Sequence, residues 1–486
     1  GSDTITATGA GNNVLVGDDG EATLVFGSVR TVETTDFPVG GNDQITTGSG
    51  GDLLIGGSGS DTLSAGAGND VLVGDNALVS FYPGTRAGVA LIDLSEGGDD
   101  RLIGGPDTNL LFGGAGNDTY VFQAGDFSDD TIVEAGSRSS SGSPDDPHDA
   151  LDFSSFGAGI RIDLGSTGRQ IVSGAPCSTG PSLVITLSSS DGLEDVVGSP
   201  YNDVIVGNSR DNTLNGGQGN DRIYGEDGND LLAGGGGSDF LDGGCGTNLV
   251  YFAGALTGVQ VDLGDGWRDG SATDGRGGTD VLDDIQGAIG TEFADTLIGS
   301  SRGNLFYGGA GADTIRALGG SDTIVWNEGD GNDTIDFGSG NHDTLIVNAG
   351  AEDDQLGVEP QGRGQVLVSG GATGGPVSWQ LSVSGADTLE VNTADAAAVV
   401  SVGDLGRNAL RCVQVHRGVA PDLPGLPDNP AHPRCDRDPG DVATFDPYLL
   451  IGVGTSDMRL SGGPDCAWWT GPRVGFWNDP WWACGA

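Results

Sequence analysis

A nine-residue period constrains this chain more than any other feature. GGSGSDTLS from Gly56, AGAGNDVLV from Ala65, GGAGNDTYV from Gly113, GGQGNDRIY from Gly216 and GEDGNDLLA from Gly225 are copies of one unit, G-G-x-G-x-D-x-U-x, with U apolar. A fixed period of this kind predicts a stacked solenoid in which each unit buries its apolar residue against its neighbours. The glycines permit positive φ and a tight turn, and the short stretch around U alternates like a strand with U pointing inward. Strand, turn, strand, turn makes one coil of two units.

The aspartates keep register in three arrays: Asp43, Asp52, Asp61, Asp70, then Asp100, Asn109, Asp118; Asp203, Asn212, Asp221, Asp230, Asp239, Asn248; and Asp295, Asn304, Asp313, Asp322, with looser spacing on to Asp333 and Asp343. A longer period lies over the first array, because VLVGD at residues 14–18 returns at residues 71–75. The inserts this creates, roughly 19–39 and 76–96, alternate apolar and polar residues about a turn-like centre and read as β-hairpins. A different module, LDFSSFGAGIRIDLGS from Leu151 and VYFAGALTGVQVDLGD from Val250, links the arrays.

With two units per coil, residues 18 apart stack on one side. Carboxylates stacked about 5 Å apart repel strongly unless a cation lies between them. Aspartate carboxylates and turn carbonyls are hard oxygen donors, which suit Ca²⁺, with its six to eight ligands, better than Mg²⁺ or Zn²⁺. Same-side pairs in the 18-residue register (43/61, 52/70, 100/118, 203/221, 212/230, 221/239, 230/248, 295/313 and 304/322) give nine candidate sites. Nine divalent ions would cancel 18 of the 50 negative charges that 70 acidic against 20 basic residues leave. That charge excludes nucleic acid and anionic lipid as partners. No stretch of about 18 apolar residues is present, so no transmembrane helix is expected.

The units resemble the repeats-in-toxin, or haemolysin-type calcium-binding, family over roughly residues 1–347. The resemblance implies an all-β chain built on a right-handed parallel β-roll, with Ca²⁺ between adjacent turns and folding after export. It also implies that Asp43, Asp52, Asp61, Asp70, Asp100, Asp118, Asp203, Asp221, Asp230, Asp239, Asp295, Asp313, Asp322, Asp333 and Asp343 are metal ligands. Asn stands for Asp at 13, 109, 212, 248 and 304, and the turns at Pro106-Asp107 and Ser301-Arg302 lose glycine. Those turns are expected to bind weakly or to stay empty.

Catalytic signatures are thin. His148, His342, His416 and His432 make no H-E-x-x-H. The single G-x-S-x-G, residues 299–303, sits inside the third array, where a degenerate repeat turn explains it better than a hydrolase elbow. Asp99 and Asp100 could mimic a glycosidase pair, yet the metal register accounts for them. The sequons at Asn117 and Asn332 are what the repeat itself writes. The chain is therefore expected not to be an enzyme.

The expected organisation is a first array with hairpin inserts over 1–125, a β linker over 126–197, a second array over 198–250, a second linker over 251–289, a third array over 290–347, a β-rich segment over 348–418, and a Pro-, Trp- and Cys-rich module over 419–486. Four of six Cys fall in the last 75 residues, which points to local disulfides and an oxidising compartment. Five Trp crowd that end as a small stapled core, a sugar-stacking platform for cell-surface glycans, or a plug for a neighbouring copy. The chain opens on GSDTIT, a unit entered at its fourth position, so an uncapped first coil is expected, which implies truncation from a longer protein or, the sharper expectation, end-to-end contact with another copy. These readings converge on an extracellular or cell-surface structural protein, a filament, surface-layer subunit or adhesin. The alternative is the carrier region of a larger secreted enzyme or toxin.

Overall fold

The computed structural model describes residues 1–417 except 26–27, 36–39, 82–87, 92–96, 135–147, 174–181, 253, 266–267, 351–354, 363, 373–375, 394–398, 404–409 and 411. Every regular element among them is a β-strand, and nearly half are three residues long. The chain divides into two compact units, with Gly217 in the first and Gln218 opening the second.

In the first unit one parallel sheet runs through Thr4–Ala7, Gln44–Thr47, Thr62–Ser64, Arg101–Ile103, Thr119–Gln123, Ala150–Ser155, Asp195–Val197 and Thr213–Asn215. A second runs through Val14–Val16, Leu53–Ile55, Val71–Val73, Leu110–Phe112, Asp129–Ile132 and Leu183–Leu187, with Gln170–Ser173 added antiparallel. Gln44 lies opposite Thr62 and Leu53 opposite Val71, so two nonapeptides close one coil. The apolar U residues Ile45, Leu54, Leu63, Leu72 and Leu102 are all 0% exposed. Burying each contributes about 1.5–3 kcal/mol, repeated coil after coil. The strands can be this short because burial of one residue and pairing on both sides stabilise each of them.

Where an insert intervenes the step between paired strands is 39 residues, as from Leu63 to Leu102, and the parallel register is unchanged. The inserts are hairpins: Gly20–Val25 pairs antiparallel with Ser28–Thr34, and Ala77–Ser80 with Gly88–Leu91. The two hairpins also pair with each other, Ser28–Thr34 against Ala77–Ser80, giving one four-stranded sheet. Val32, Ala77 and Val79 from that sheet pack on Leu53, Ile55, Val73 and Phe112 of the roll.

The linkers are elongated coils of the same solenoid. Ala150–Ser155 pairs with Asp195–Val197, and Arg161–Asp163 with Val204–Val206. Phe153 stacks on Phe122 with ring centroids 4.9 Å apart, filling the wider coil. In the second unit Leu249–Tyr251 pairs with Gly287–Ile289, and Gln260–Asp262 with Thr296–Ile298.

That unit has one parallel sheet from Leu231–Ala233 to Cys412–Arg417, and a second sheet in which antiparallel strands such as Gln365–Gly371 are inserted. Beyond the last nonapeptide, Thr344–Ala349, Thr388–Thr393 and Cys412–Arg417 continue the parallel stack. An asparagine ladder lines it: the Asn392 amide donates to Asn348 at 2.8 Å, and the Asn348 amide to Asn327 at 2.9 Å. Cys412 is disulfide-bonded. Residues 418–486, with the tryptophan cluster and Cys435, Cys466 and Cys484, lie outside the described residues, as does Cys177. No helix among the described residues is long and apolar enough to cross a membrane.

Candidate metal centres

Each nonapeptide aspartate stands at the end of a glycine turn, one residue before its strand, and all fifteen candidate ligands are buried. Their spacing is set by a repeated bond. The Asp43 N–H donates to Asp61 Oδ1 at 2.7 Å, Asp52 to Asp70 at 2.7 Å, Asp100 to Asp118 at 2.9 Å, Asp221 to Asp239 at 2.8 Å and Asp295 to Asp313 at 2.8 Å. One carboxylate oxygen is thus spent on the backbone of the preceding coil.

The other oxygen is not. Oδ2 of Asp43, Asp52, Asp61, Asp70, Asp100, Asp239, Asp313 and Asp322 is buried with no hydrogen-bond partner. It faces bare glycine: a Cβ on Gly56 would stand 2.2 Å from Asp61 Oδ2 and 2.4 Å from the Gly74 carbonyl oxygen of the next coil. On Gly74 it would stand 2.0 Å from Asp100 Oδ2 and 2.7 Å from the Gly113 carbonyl oxygen. Carboxylate and carbonyl oxygens, all acceptors, therefore crowd one side of the turn, and no protein donor reaches Asp61 Oδ2 or Asp100 Oδ2. Such an arrangement costs free energy unless a cation fills it.

The electrostatics agree. Burial, then Asp118 and Asp61 nearby, pushes Asp100 up to about 10. Burial with Asp43, Asp18 and Asp75 pushes Asp61 up to about 8, and burial with Asp333 and Asp295 pushes Asp313 to about 8. Asp70 and Asp322 rise to about 6 and about 7, burial again leading. Carboxylates held this way at neutral pH require either protons or a positive ion.

Positions that depart from the repeat carry their own substitute for that charge. The Asn304 amide nitrogen donates to the Gln286 carbonyl at 3.0 Å, Asn109 to Gly105 at 2.9 Å and Asn212 to Glu194 at 2.9 Å. An N–H here does what a cation does beside a carboxylate. Asp203 and Asp295 instead meet a hydroxyl residue at the second turn position. The Ser199 N–H and Oγ–H donate to Asp203 at 2.6 and 2.7 Å, and the Thr291 N–H to Asp295 at 2.5 Å. These two keep both oxygens engaged by protein donors. At the glycine-less turn of residues 106–107, Asp107 adopts φ +89° in place of the missing glycine, a strained state costing roughly 1–3 kcal/mol.

The 18-residue register misses several members of the ladder. The Asp61 N–H donates to Asp100 across 39 residues, Asp118 to Asp149 across 31, Asp239 to Asp280 across 41, Asp313 to Asp333 across 20 and Asp322 to Asp343 across 21. Asp149 and Asp280 lie in the linkers, and the signal that marks them is Asp two residues before a buried apolar one, DAL and DVL. Asp118, Asp149 and Glu134 bring ligand atoms within 4.8 Å of one another, all three buried. The G-x-S-x-G motif lies in a turn between Thr296–Ile298 and Leu305–Tyr307, where the Ser300 N–H donates to Asn304.

The donor set is all oxygen, anionic and built on turn carbonyls, which fits Ca²⁺. When bound, the ion would neutralise paired carboxylates of successive coils, held by the Asp Oδ2 atoms and glycine carbonyls named above. A parallel solenoid with such turns defines a calcium-binding β-roll. The RTX calcium-binding nonapeptide repeat profile matches residues 1–25, 39–76, 95–126, 197–232, 216–250 and 289–324. Over those segments the chain carries RTX calcium-binding nonapeptide repeats. No curated protein matches it. Among solved structures it is similar to the extracellular lipase LipA from Serratia marcescens, at 20% identity over 38% of each chain with a TM-score of 0.16, a likeness too slight to carry weight. The chain therefore spans well under half the length of that lipase.

Proposed function

We propose that this chain is an extracellular structural protein whose solenoid is completed by calcium and which associates with further copies of itself at a cell surface or in a matrix. The observation that supports it best is the set of unpartnered buried Oδ2 atoms in both units, at Asp43, Asp61 and Asp100 in one and Asp239, Asp313 and Asp322 in the other. Calcium sites in extracellular modules bind with Kd on the order of 10⁻⁴–10⁻³ M. In calcium-poor cytosol the stacked carboxylates repel and keep the chain open; after export the ions fill the turns and the coils close. A formal charge of -50 also keeps copies apart until it is neutralised, so calcium promotes association.

Electron microscopy and sedimentation of the chain in calcium and in chelator test this. Calcium-dependent β structure together with regular oligomers or filaments supports the proposal. Calcium-dependent folding into monomers alone overturns the assembly and favours a carrier region of a larger secreted enzyme. No response to calcium overturns the whole reading.

A further inference from the structure

The necks of the two hairpin inserts repeat one geometry outside the nonapeptide register. Each insert leaves the roll at a Gly-Asp pair, Gly17-Asp18 and Gly74-Asp75, and returns at Gly40 and Gly97. The Ser58 N–H donates to Asp18 Oδ2 at 2.7 Å, and the Ala115 N–H to Asp75 Oδ2 at 2.6 Å. A Cβ on Gly40 would stand 2.3 Å from both Asp18 Oδ2 and the Ser58 carbonyl oxygen; on Gly97, 2.4 Å from both Asp75 Oδ2 and the Ala115 carbonyl oxygen. A carboxylate oxygen and a main-chain carbonyl over bare glycine also meet at the register sites; at the necks that carboxylate oxygen accepts one backbone N–H as well.

The necks also adjoin unpartnered acceptors. Gly17, next to Asp18, faces Asp43 Oδ2 at 2.2 Å and the Gly56 carbonyl oxygen at 2.6 Å by the same measure, while Gly74, next to Asp75, faces Asp100 Oδ2 and the Gly113 carbonyl oxygen. Asp43 and Asp100 are 3% and 2% exposed, and their Oδ2 atoms have no donor. Asp75 is 0% exposed. Two copies 57 residues apart thus gather carboxylate and carbonyl oxygens at the root of an insert, where a hard cation would satisfy them.

We propose that Asp18 and Asp75 are calcium ligands outside the nonapeptide register, so that calcium closes the necks of the two inserts and fixes their joint four-stranded sheet on the roll. This rests on the calcium reading of the turns. The full chain carrying Asp18→Asn and Asp75→Asn together tests it, since asparagine keeps an oxygen to accept the Ser58 and Ala115 N–H groups and removes only the charge. Bound calcium is counted by equilibrium dialysis with atomic absorption. Hydrogen exchange follows strands Gly20–Val25, Ser28–Thr34 and Ala77–Ser80, with Phe240–Asp242 in the second unit as reference.

The expected result is about two fewer ions per chain, and loss of the calcium-induced slowing of exchange in the insert strands while the reference strand keeps its own. An unchanged ion count with insert protection still rising in calcium overturns the proposal. Loss of β structure in the double variant in chelator at pH 4, where the wild-type chain keeps its own, also overturns it, because that outcome makes the two carboxylates turn caps and not ligands. A wild-type chain that binds no calcium refutes the proposed function itself.

Discussion

The Asp61 backbone N–H donates to Asp100 Oδ1 at 2.7 Å, although 39 residues separate the two. Asp43 makes the same bond to Asp61 at the same length across 18. The turn ladder is therefore indifferent to what is inserted between coils. It is fixed by the pairing of one strand with the next, which buries Leu63 against Leu102 as it buries Ile45 against Leu63.

Acid should replace calcium. In chelator, burial holds Asp70, Asp322, Asp61 and Asp313 above the ordinary 3.8, at about 6, 7, 8 and 8. A carboxylate raised on folding stabilises the fold below its unfolded pKa and loses that contribution as pH rises through the folded value. The metal-free chain is expected to keep its β circular dichroism near pH 4 and to lose it progressively between about pH 6 and 8. With saturating calcium the order reverses, because the ion competes with protons for the same oxygens. Equal stability of the metal-free chain at pH 4 and pH 8 would contradict this.

Asn304→Asp should create a site at a position the chain has neutralised. The substitution gives up the amide donation to the Gln286 carbonyl and adds a buried charge. In chelator near pH 6, where the metal-free chain still holds its β structure, it is expected to cost about 1–3 kcal/mol, read from thermal unfolding. In millimolar calcium the deficit should shrink or vanish, with about one more ion bound. A deficit that is the same with and without calcium counts against a metal at this turn.

Gly56→Ala should be costly in calcium and also in chelator near pH 6, where the metal-free chain still holds its β structure, since the added methyl meets Asp61 Oδ2 and the Gly74 carbonyl oxygen well inside contact distance. Overpacking of this kind costs about 1–3 kcal/mol, and the occupied turn should lose calcium affinity as well. Gly9→Ala, whose nearest neighbour is 3.9 Å away, is the control and should be close to neutral. A similar Tm shift for both would remove the glycine cradle from the account.

Much of this was legible in the sequence because the nonapeptide states both its burial and its turn. Leu63 and Asp61 are set by position in the unit, and so is the 18-residue stack of Asp43 on Asp61. The hairpins at the inserts were legible from alternation. Their union into one sheet was not, because the pairing of Ser28–Thr34 with Ala77–Ser80 depends on the roll bringing two distant inserts to one face. Asp149 and Asp280 escaped for a related reason: their coils are longer than two units, so spacing hides what strand pairing restores. The hydroxyls of Ser199 and Thr291 gave no signal at all, since a Ser or Thr in place of glycine reads as decay of the motif until its donors are seen on Asp203 and Asp295.

Arg210 lies 2.5 Å from Glu194, a carboxylate 1% exposed at the coil that joins the first linker to the second array, and donates to the Asp191 carbonyl at 3.1 Å. Here the compensating positive charge is covalently part of the chain. A chelator can strip the turns on either side of it but cannot remove a guanidinium, so withdrawal of calcium should loosen the roll in segments that part at this tethered coil. Refilling would then begin from a seam that never came undone.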